Sequence, residues 1–231
     1  AAHGGLIYRV GGMAPRNPPG EPVDNRSVAD VARFDPKTGK WEALPPLPAP
    51  RSSHDLAVVD DKLYVVGGWT MQEGGRQDWP AEGLVLDLSA RELAWKSIDQ
   101  PFRRRAFMAA AHDGKVYVFG GFCYKNVVVG AFSIYDRGTG GWSEGPELPK
   151  RGGTTGFAPA ATAHGGRLYV SIDDGTLLRL SESGREWEVA GKTTPRLAHR
   201  LASHGETVLV LGGAAGGKNF DLVEAVAVSG K

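Results

Sequence analysis

Three arginines stand at one fixed distance from a recurring glycine pair. Arg51, Arg104 and Arg196 each precede the first glycine of Gly67-Gly68, Gly120-Gly121 and Gly212-Gly213 by sixteen residues. A guanidinium donates two parallel, charge-assisted hydrogen bonds, so a set of them suits a carboxylate or another anionic or polar ligand. The competing reading is structural: an arginine repeated at one offset ties neighbouring elements together. His54 and His199 follow Arg51 and Arg196 by three residues and join the same candidate site. Asp173 and Asp174 stand where other copies carry glycine. A carboxylate there can position a sugar hydroxyl or act as a base, although drift at a variable loop position explains the same pair more simply.

Other residues offer less. His3, His112, His164 and His204 all lie eight residues before the glycine position, a regularity that invites a metal site. Zinc needs its ligands about 2.0–2.1 Å from one centre, and histidines repeated on different copies do not converge, so neither a metal nor any other cofactor is expected. Trp69, Met71, Trp79, Phe122 and Tyr124 follow the glycine pairs. Exposed aromatics beside arginines are typical of recognition surfaces; the alternative is that they fold back to cover their own loops. No phosphate-cradling loop is implied, because the glycine pairs end strands rather than open helices.

The elements that position these residues are repeats. An apolar strand running into the glycine pair recurs at Leu6–Gly12, Leu63–Gly68, Val116–Gly121 and Val208–Gly213, with a degenerate copy at Leu168–Asp173. A variable loop and an alternating strand follow each copy, and the first four then reach a tryptophan: Trp41, Trp95, Trp142 and Trp187. Another short apolar strand precedes each pair, as at Asp55–Val59. Four short strands per repeat, with no helical periodicity, predict an all-β propeller of repeated sheets.

The glycine pair, the Phe-Asp or Tyr-Asp strand and the spaced tryptophan resemble the kelch repeat family across nearly the whole chain. The resemblance implies a kelch-type β-propeller of five recognisable four-stranded blades, with residues 1–231 as one domain. Strands are lettered A to D outward from a central channel. The B strands should end at Gly11, Gly67, Gly120 and Gly212, and the D strands should begin near the tryptophans. The first and fifth units lack strands, so the expectation is a missing segment, with a sixth blade as the candidate. The D-to-A and B-to-C loops would share one face, bringing Arg51, Arg104 and Arg196 together with Trp69 and Phe122 as unpaired guanidiniums around a pocket. In several kelch-containing ubiquitin-ligase adaptors, arginines at such positions hold an acidic peptide.

Composition narrows the partners. With 27 basic and 26 acidic residues the net charge is +1, which provides no overall field toward nucleic acid or anionic lipid. No apolar run approaches the roughly 18 residues of a membrane span, so membrane insertion is not expected. The single cysteine, Cys123, excludes an internal disulfide framework. Two functional classes remain. The first is a non-catalytic binding propeller for a protein or peptide segment or a small anionic or sugar ligand. The alternative is a carbohydrate-active enzyme resembling the bacterial sialic acid mutarotases, with Asp173 or His54 moving a proton. A third resemblance, to galactose oxidase, lacks its ligand pattern beyond Cys123 beside Tyr124.

Overall fold

Each repeat becomes one antiparallel sheet in the computed structural model, which describes residues 1–72, 77–125, 127–151 and 154–228. Sheet one runs β1 (Ala2–His3), β2 (Leu6–Pro15), β3 (Asn25–Asp35) and β4 (Lys40–Leu44). Sheet two takes β5 (Asp55–Val59), β6 (Lys62–Val66), β9 (Glu82–Asp87) and β10 (Trp95–Asp99); β7 (Thr70–Met71) and β8 (Gln77–Asp78) form a small hairpin between β6 and β9. After β11 (Arg104–Arg105), sheet three takes β12 (Met108–His112), β13 (Lys115–Phe119), β16 (Phe132–Asp136) and β17 (Gly141–Glu144), with a hairpin of β14 (Phe122–Cys123) and β15 (Val127–Val128) inserted. Sheet four comprises β18 (Ala160–His164), β19 (Arg167–Ser171), β20 (Thr176–Leu180) and β21 (Trp187–Lys192). Sheet five has three strands, β22 (Arg200–His204), β23 (Thr207–Leu211) and β26 (Val223–Ala227), with a hairpin of β24 (Ala214–Ala215) and β25 (Lys218–Asn219). Among the described residues there is no helix long and apolar enough to cross a membrane.

The chain divides into two compact units, Ala1–Arg105 and Ala106–Lys231. In the first, Tyr8, Val10 and Val31 of sheet one pack with Leu63, Val65 and Leu86 of sheet two. In the second, Phe119 and Phe132 meet Leu168, Val170 and Leu178, while Tyr169 and Leu177 meet Val208 and Val210. The second strand of each interior sheet is apolar at nearly every position because both of its faces are covered: β6, β13 and β19 are buried over their last four residues. The fourth strands face water, as the exposed β17 illustrates.

Local chemistry explains the turns. Asp113-Gly114 and Gly165-Gly166 join the first two strands of their sheets with positive φ at both residues, as a type I′ hairpin requires. In sheets one to three an aspartate ends the third strand and closes the next turn: Asp35 Oδ1 accepts the Lys37 amide at 2.8 Å, Asp87 Oδ1 that of Ser89 at 3.1 Å, and Asp136 Oδ1 that of Gly138 at 2.8 Å. The recurrent tryptophan joins sheets, since Trp95 Nε1 donates to the Pro45 carbonyl at 2.9 Å and Trp187 Nε1 to that of Pro146 at 2.8 Å. Trp41 instead lies 55% exposed against Phe34.

One expected boundary is corrected. Strands β6, β13 and β23 stop on the residue before their glycine pair, but β2 does not end at Gly11. It shifts register between Val10 and Gly12 and continues pairing with β3 as far as Pro15 opposite Asn25. Gly11 takes a left-handed φ of 53°, which lets a β-bulge absorb the shift and extends the hairpin into the segment expected to be a loop.

Candidate functional site

The strap that leads into each inner strand positions the candidate residues. Ser52 pairs with Trp69 through reciprocal hydrogen bonds of 2.9 and 3.0 Å, and Leu197 pairs with Ala214 at 2.9 Å both ways. The next residue is left-handed in every strap: Ser53, Ala106, Ala158 and Ala198 have φ between 44° and 54°. In the second unit these turns are linked in series, with the Ala158 amide donating to Ala106 O at 2.7 Å and the Ala198 amide to Ala158 O at 3.2 Å. The second glycine of a pair reaches the following strap. Gly12 N meets Arg51 O at 2.8 Å, Gly68 N meets Arg104 O at 2.7 Å, and Gly121 N meets Gly156 O at 2.6 Å. A Cβ on Gly68 would stand 2.7 Å from Ser52 O and from His54 Cβ, so the close approach requires glycine there.

The arginines are buried, at 3% exposure for Arg51 and Arg104 and 1% for Arg196. Arg51 Nη1 donates to Gly67 O at 3.4 Å and Glu82 O at 3.1 Å. Arg196 repeats the pattern: Nη1 donates to Gly212 O at 2.9 Å and Leu222 O at 3.5 Å, and Nε to Thr194 O at 3.1 Å. Its guanidinium also pairs with the Glu224 carboxylate. Each of these two arginines therefore spans the carbonyls at both feet of its own sheet's inserted loop. Burial lowers both from the ordinary arginine value, and for Arg51 the charges of Glu82 and Asp78 oppose the shift. Arg104 stacks on Phe102, 4.1 Å from the ring centre. The expectation of unpaired guanidiniums is thus corrected for Arg51 and Arg196. Desolvating a cation is costly without acceptors, and here backbone carbonyls and Glu224 supply them.

His54 lies between two straps, its Nε2 donating to Val10 O at 3.0 Å. Burial and the neighbouring Arg51 charge push its pKa down to about 4. His199 is 2% exposed and is held at about 4 by burial, with Arg196 and Arg200 adding repulsion. Both imidazoles are neutral at pH 7.

The aromatics divide. Trp69 meets Trp79 edge-on with centroids 5.6 Å apart, and the Arg105 guanidinium lies 4.1 Å over Trp69 and 5.7 Å from Trp79. Phe122 packs edge-on against Phe157 at 6.4 Å. Tyr124 stays 54% exposed beside Lys125. Sequence reading passed over Arg105, whose signal was its place beside Arg104 in a strap facing a tryptophan-bearing loop.

The aspartates are engaged locally. Asp173 accepts from the Thr154 hydroxyl. Asp174 accepts the Thr176 amide at 2.8 Å and lies 3.3 Å from Lys192 Nζ; these donors hold it below its ordinary range despite burial, which acts the other way. The turn histidines also bond locally, with His3 Nε2 at 2.9 Å from Asp61 and His164 Nδ1 at 2.8 Å from Ser203 Oγ. Among the described residues no three His, Cys, Asp or Glu side chains converge as metal ligands.

In the first unit the extended β2–β3 hairpin stands beside Pro50, Met71 and Gln72 and borders a cavity of about 380 Å³ that also receives Arg16, Arg26 and Asp30. Ser27 and Ser52 close its floor with a 2.8 Å hydroxyl contact, and Ser27 Oγ accepts the Met71 amide at 2.9 Å.

A family model described as the KLHDC2/KLHL20/DRC7 Kelch-repeats domain matches residues 1–213. The chain belongs to this kelch-repeat family. It is 32% identical to mouse Kelch-like protein 35 over 54% of this chain and 20% of that protein. To the Caenorhabditis elegans spermatocyte protein spe-26 it is 26% identical over 82% of this chain and 34% of the relative. The kelch chain therefore spans about a third or less of the length of these relatives. The solved structure of YjhT superposes with a TM-score of 0.79 at 15% identity, covering 99% of this chain and 80% of that one. That likeness, the family match and the all-β sheets make the fold a kelch-type β-propeller.

Proposed function

We propose that this kelch chain is a non-catalytic binding module that takes a protein segment on the loops inserted after its glycine pairs. The observation that carries the reading is the β2–β3 hairpin, which runs past the glycine pair and borders a cavity containing two arginines. Core packing does not require that extension, and Arg26 and Asp30 on it are exposed. In this reading Arg51 and Arg196 act as loop anchors, while the Trp69–Arg105 stack extends the contact surface of the first unit. Arg104, His54, His199 and Phe122 hold the straps and hairpins in place.

Support for carbohydrate chemistry is thinner. A proton-transfer group must reach the substrate, yet the His54 Nε2–H is committed to a carbonyl and Asp173 to Thr154. Selection of phage-displayed random peptides on the whole chain tests the proposal. Enriched peptides should slow hydrogen exchange in the Met13–Asn25 segment and around Met71. Failure to enrich any peptide, together with accelerated anomer exchange of a sialic acid in NMR spectra, would overturn it in favour of the enzyme.

A further inference from the structure

In sheets two and four the recurrent tryptophan meets a proline strap; in sheet one it does not. Leu63, Leu86 and Trp95 of sheet two pair directly across three strands and so share a face. Sheet one packs on that face and leaves Leu63 and Leu86 0% exposed, while its strap gives the Pro45 carbonyl to Trp95 and buries Leu47. In sheet four Trp187 pairs with Leu180, donates to the Pro146 carbonyl and packs against the cluster that holds Leu148. Both straps read Pro-x-Leu-Pro, at residues 45–48 and 146–149. On sheet one the same register joins Ile7, Phe34 and Trp41. Yet Ile7 is 45% and Trp41 55% exposed, and Trp41 Nε1 meets no acceptor among the described residues.

A second departure lies two residues along β2. Arg9 pairs with Ala32, and Ala32 with Ala43, on the same face. Where sheet one carries Arg9, the other sheets carry Val65, Val118, Val170 and Val210, each 0% exposed. Arg9 is exposed, and its guanidinium has no partner among the described residues. A wholly apolar sheet laid on this face would desolvate that cation without an acceptor. A second copy of the face would do no better, since Arg9 is the only charge among Ile7, Arg9, Ala32, Phe34, Trp41 and Ala43.

We infer that this face docks an extended segment of a partner protein, in which a proline carbonyl accepts from Trp41 Nε1, a leucine covers Ile7 and Phe34, and a carboxylate pairs with Arg9. Proline-containing segments suit aromatic surfaces because their extended form is set in advance, at little entropic cost. The guanidinium fork suits a carboxylate through two parallel hydrogen bonds. Trp41 lies two strands across and two residues along from Arg9, roughly 12 Å. At a rise of about 3.1 Å per residue, the acid stands about four residues from the proline. These residues are not on the loops after the glycine pairs, so the inference goes beyond the reading above.

The test uses a phage library with a fixed Pro-x-Leu-Pro core and randomised flanks, selected on the whole chain and on Arg9→Val and Trp41→Phe. Thermal unfolding confirms that each variant is folded, which exposed positions permit. Wild type should enrich an acidic residue about four positions from a core proline, and Arg9→Val should lose that preference. The enriched peptide should bind Arg9→Val more weakly by about tenfold or more in calorimetry. Trp41→Phe keeps a ring but loses the donor, and should bind about fivefold more weakly. In NMR spectra the peptide should shift the Trp41 indole N–H and leave those of Trp95 and Trp187, which already have acceptors, in place. Peptides that bind all three chains equally, or that slow hydrogen exchange only in the Met13–Asn25 segment, would overturn this inference and leave the binding-module reading standing. Failure to enrich any peptide would also overturn it. So would a wild-type dimer that Trp41→Ala dissociates in sedimentation, in favour of a second copy.

Discussion

Sheets two and five treat the carbonyl at the end of their second strand in one way, and sheet four in another. Gly67 O and Gly212 O lie beneath inserted loops, and each accepts from the arginine sixteen residues upstream. In sheet four the same position is Ile172, where the loop has contracted to one tight turn and Gly175 N donates to Ile172 O at 3.0 Å. The residue sixteen upstream is then Gly156. A buried carbonyl needs a donor: in sheets two and five a guanidinium reaches across to it, whereas the tight turn of sheet four supplies its own amide and no arginine stands upstream. The loss of the glycine pair at Ile172-Asp173 and the loss of the arginine at Gly156 are one structural change. In sheets two and five the arginine thus holds the feet of the inserted loop.

The largest effect should come from Arg196→Ala. It strips donors from Thr194 O, Gly212 O and Leu222 O and removes the cation paired with Glu224, which keeps only the Thr194 amide and hydroxyl, so a loss of about 3–5 kcal/mol is expected in urea unfolding. A loss below about 1 kcal/mol, typical of an exposed ion pair, would break the comparison. Next is Gly156→Ala in the sheet that dispenses with arginine. Gly156 has a φ of 98°, and its Cβ would stand 2.2 Å from Val129 O. Left-handed backbone and overpacking together should cost about 2–4 kcal/mol, so the arginine's position accepts no other side chain in this sheet.

The strap histidines sharpen the comparison through pH. His54 and His199 have folded values near 4 against an ordinary value of 6.5, so the unfolded chain binds more protons between those values. Stability is then fully present above about pH 6.5 and declines as pH falls toward 4, by about 2 kcal/mol for each histidine at pH 5. His199→Phe should flatten the pH dependence of the urea midpoint relative to wild type, whereas an unchanged slope would show that the ring is hydrated. The smallest effect concerns the sheet-joining tryptophans. Trp187→Phe loses the bond to Pro146 O and should cost about 1 kcal/mol, while Trp41→Phe, at an exposed site, should shift stability by less than about 0.5 kcal/mol. Differential scanning calorimetry resolves the pair.

Repeated strands, turns and tryptophans were legible because each depends on residues close in sequence. Leu63–Val66 reads as a strand covered on both faces, Asp136 closes its turn through the Gly138 amide two residues on, and the contracted Ile172–Gly175 turn accompanies a lost glycine pair. The extended β2–β3 hairpin was less legible, since prolines at 15, 18 and 19 read as a loop while the bulge at Gly11 carries the ladder past them.

The sequence by itself determined the family, the order of strands within each sheet and the offset that makes Arg51, Arg104 and Arg196 equivalent. Local periodicity and spacing are sufficient for that. Tertiary structure alone decided which acceptors those arginines meet and which charges remain available. Residue type sets how many hydrogen bonds a guanidinium can give, but only the carbonyls and carboxylates brought from distant segments, such as Glu82 for Arg51 and Glu224 for Arg196, determine whether any are left for a ligand.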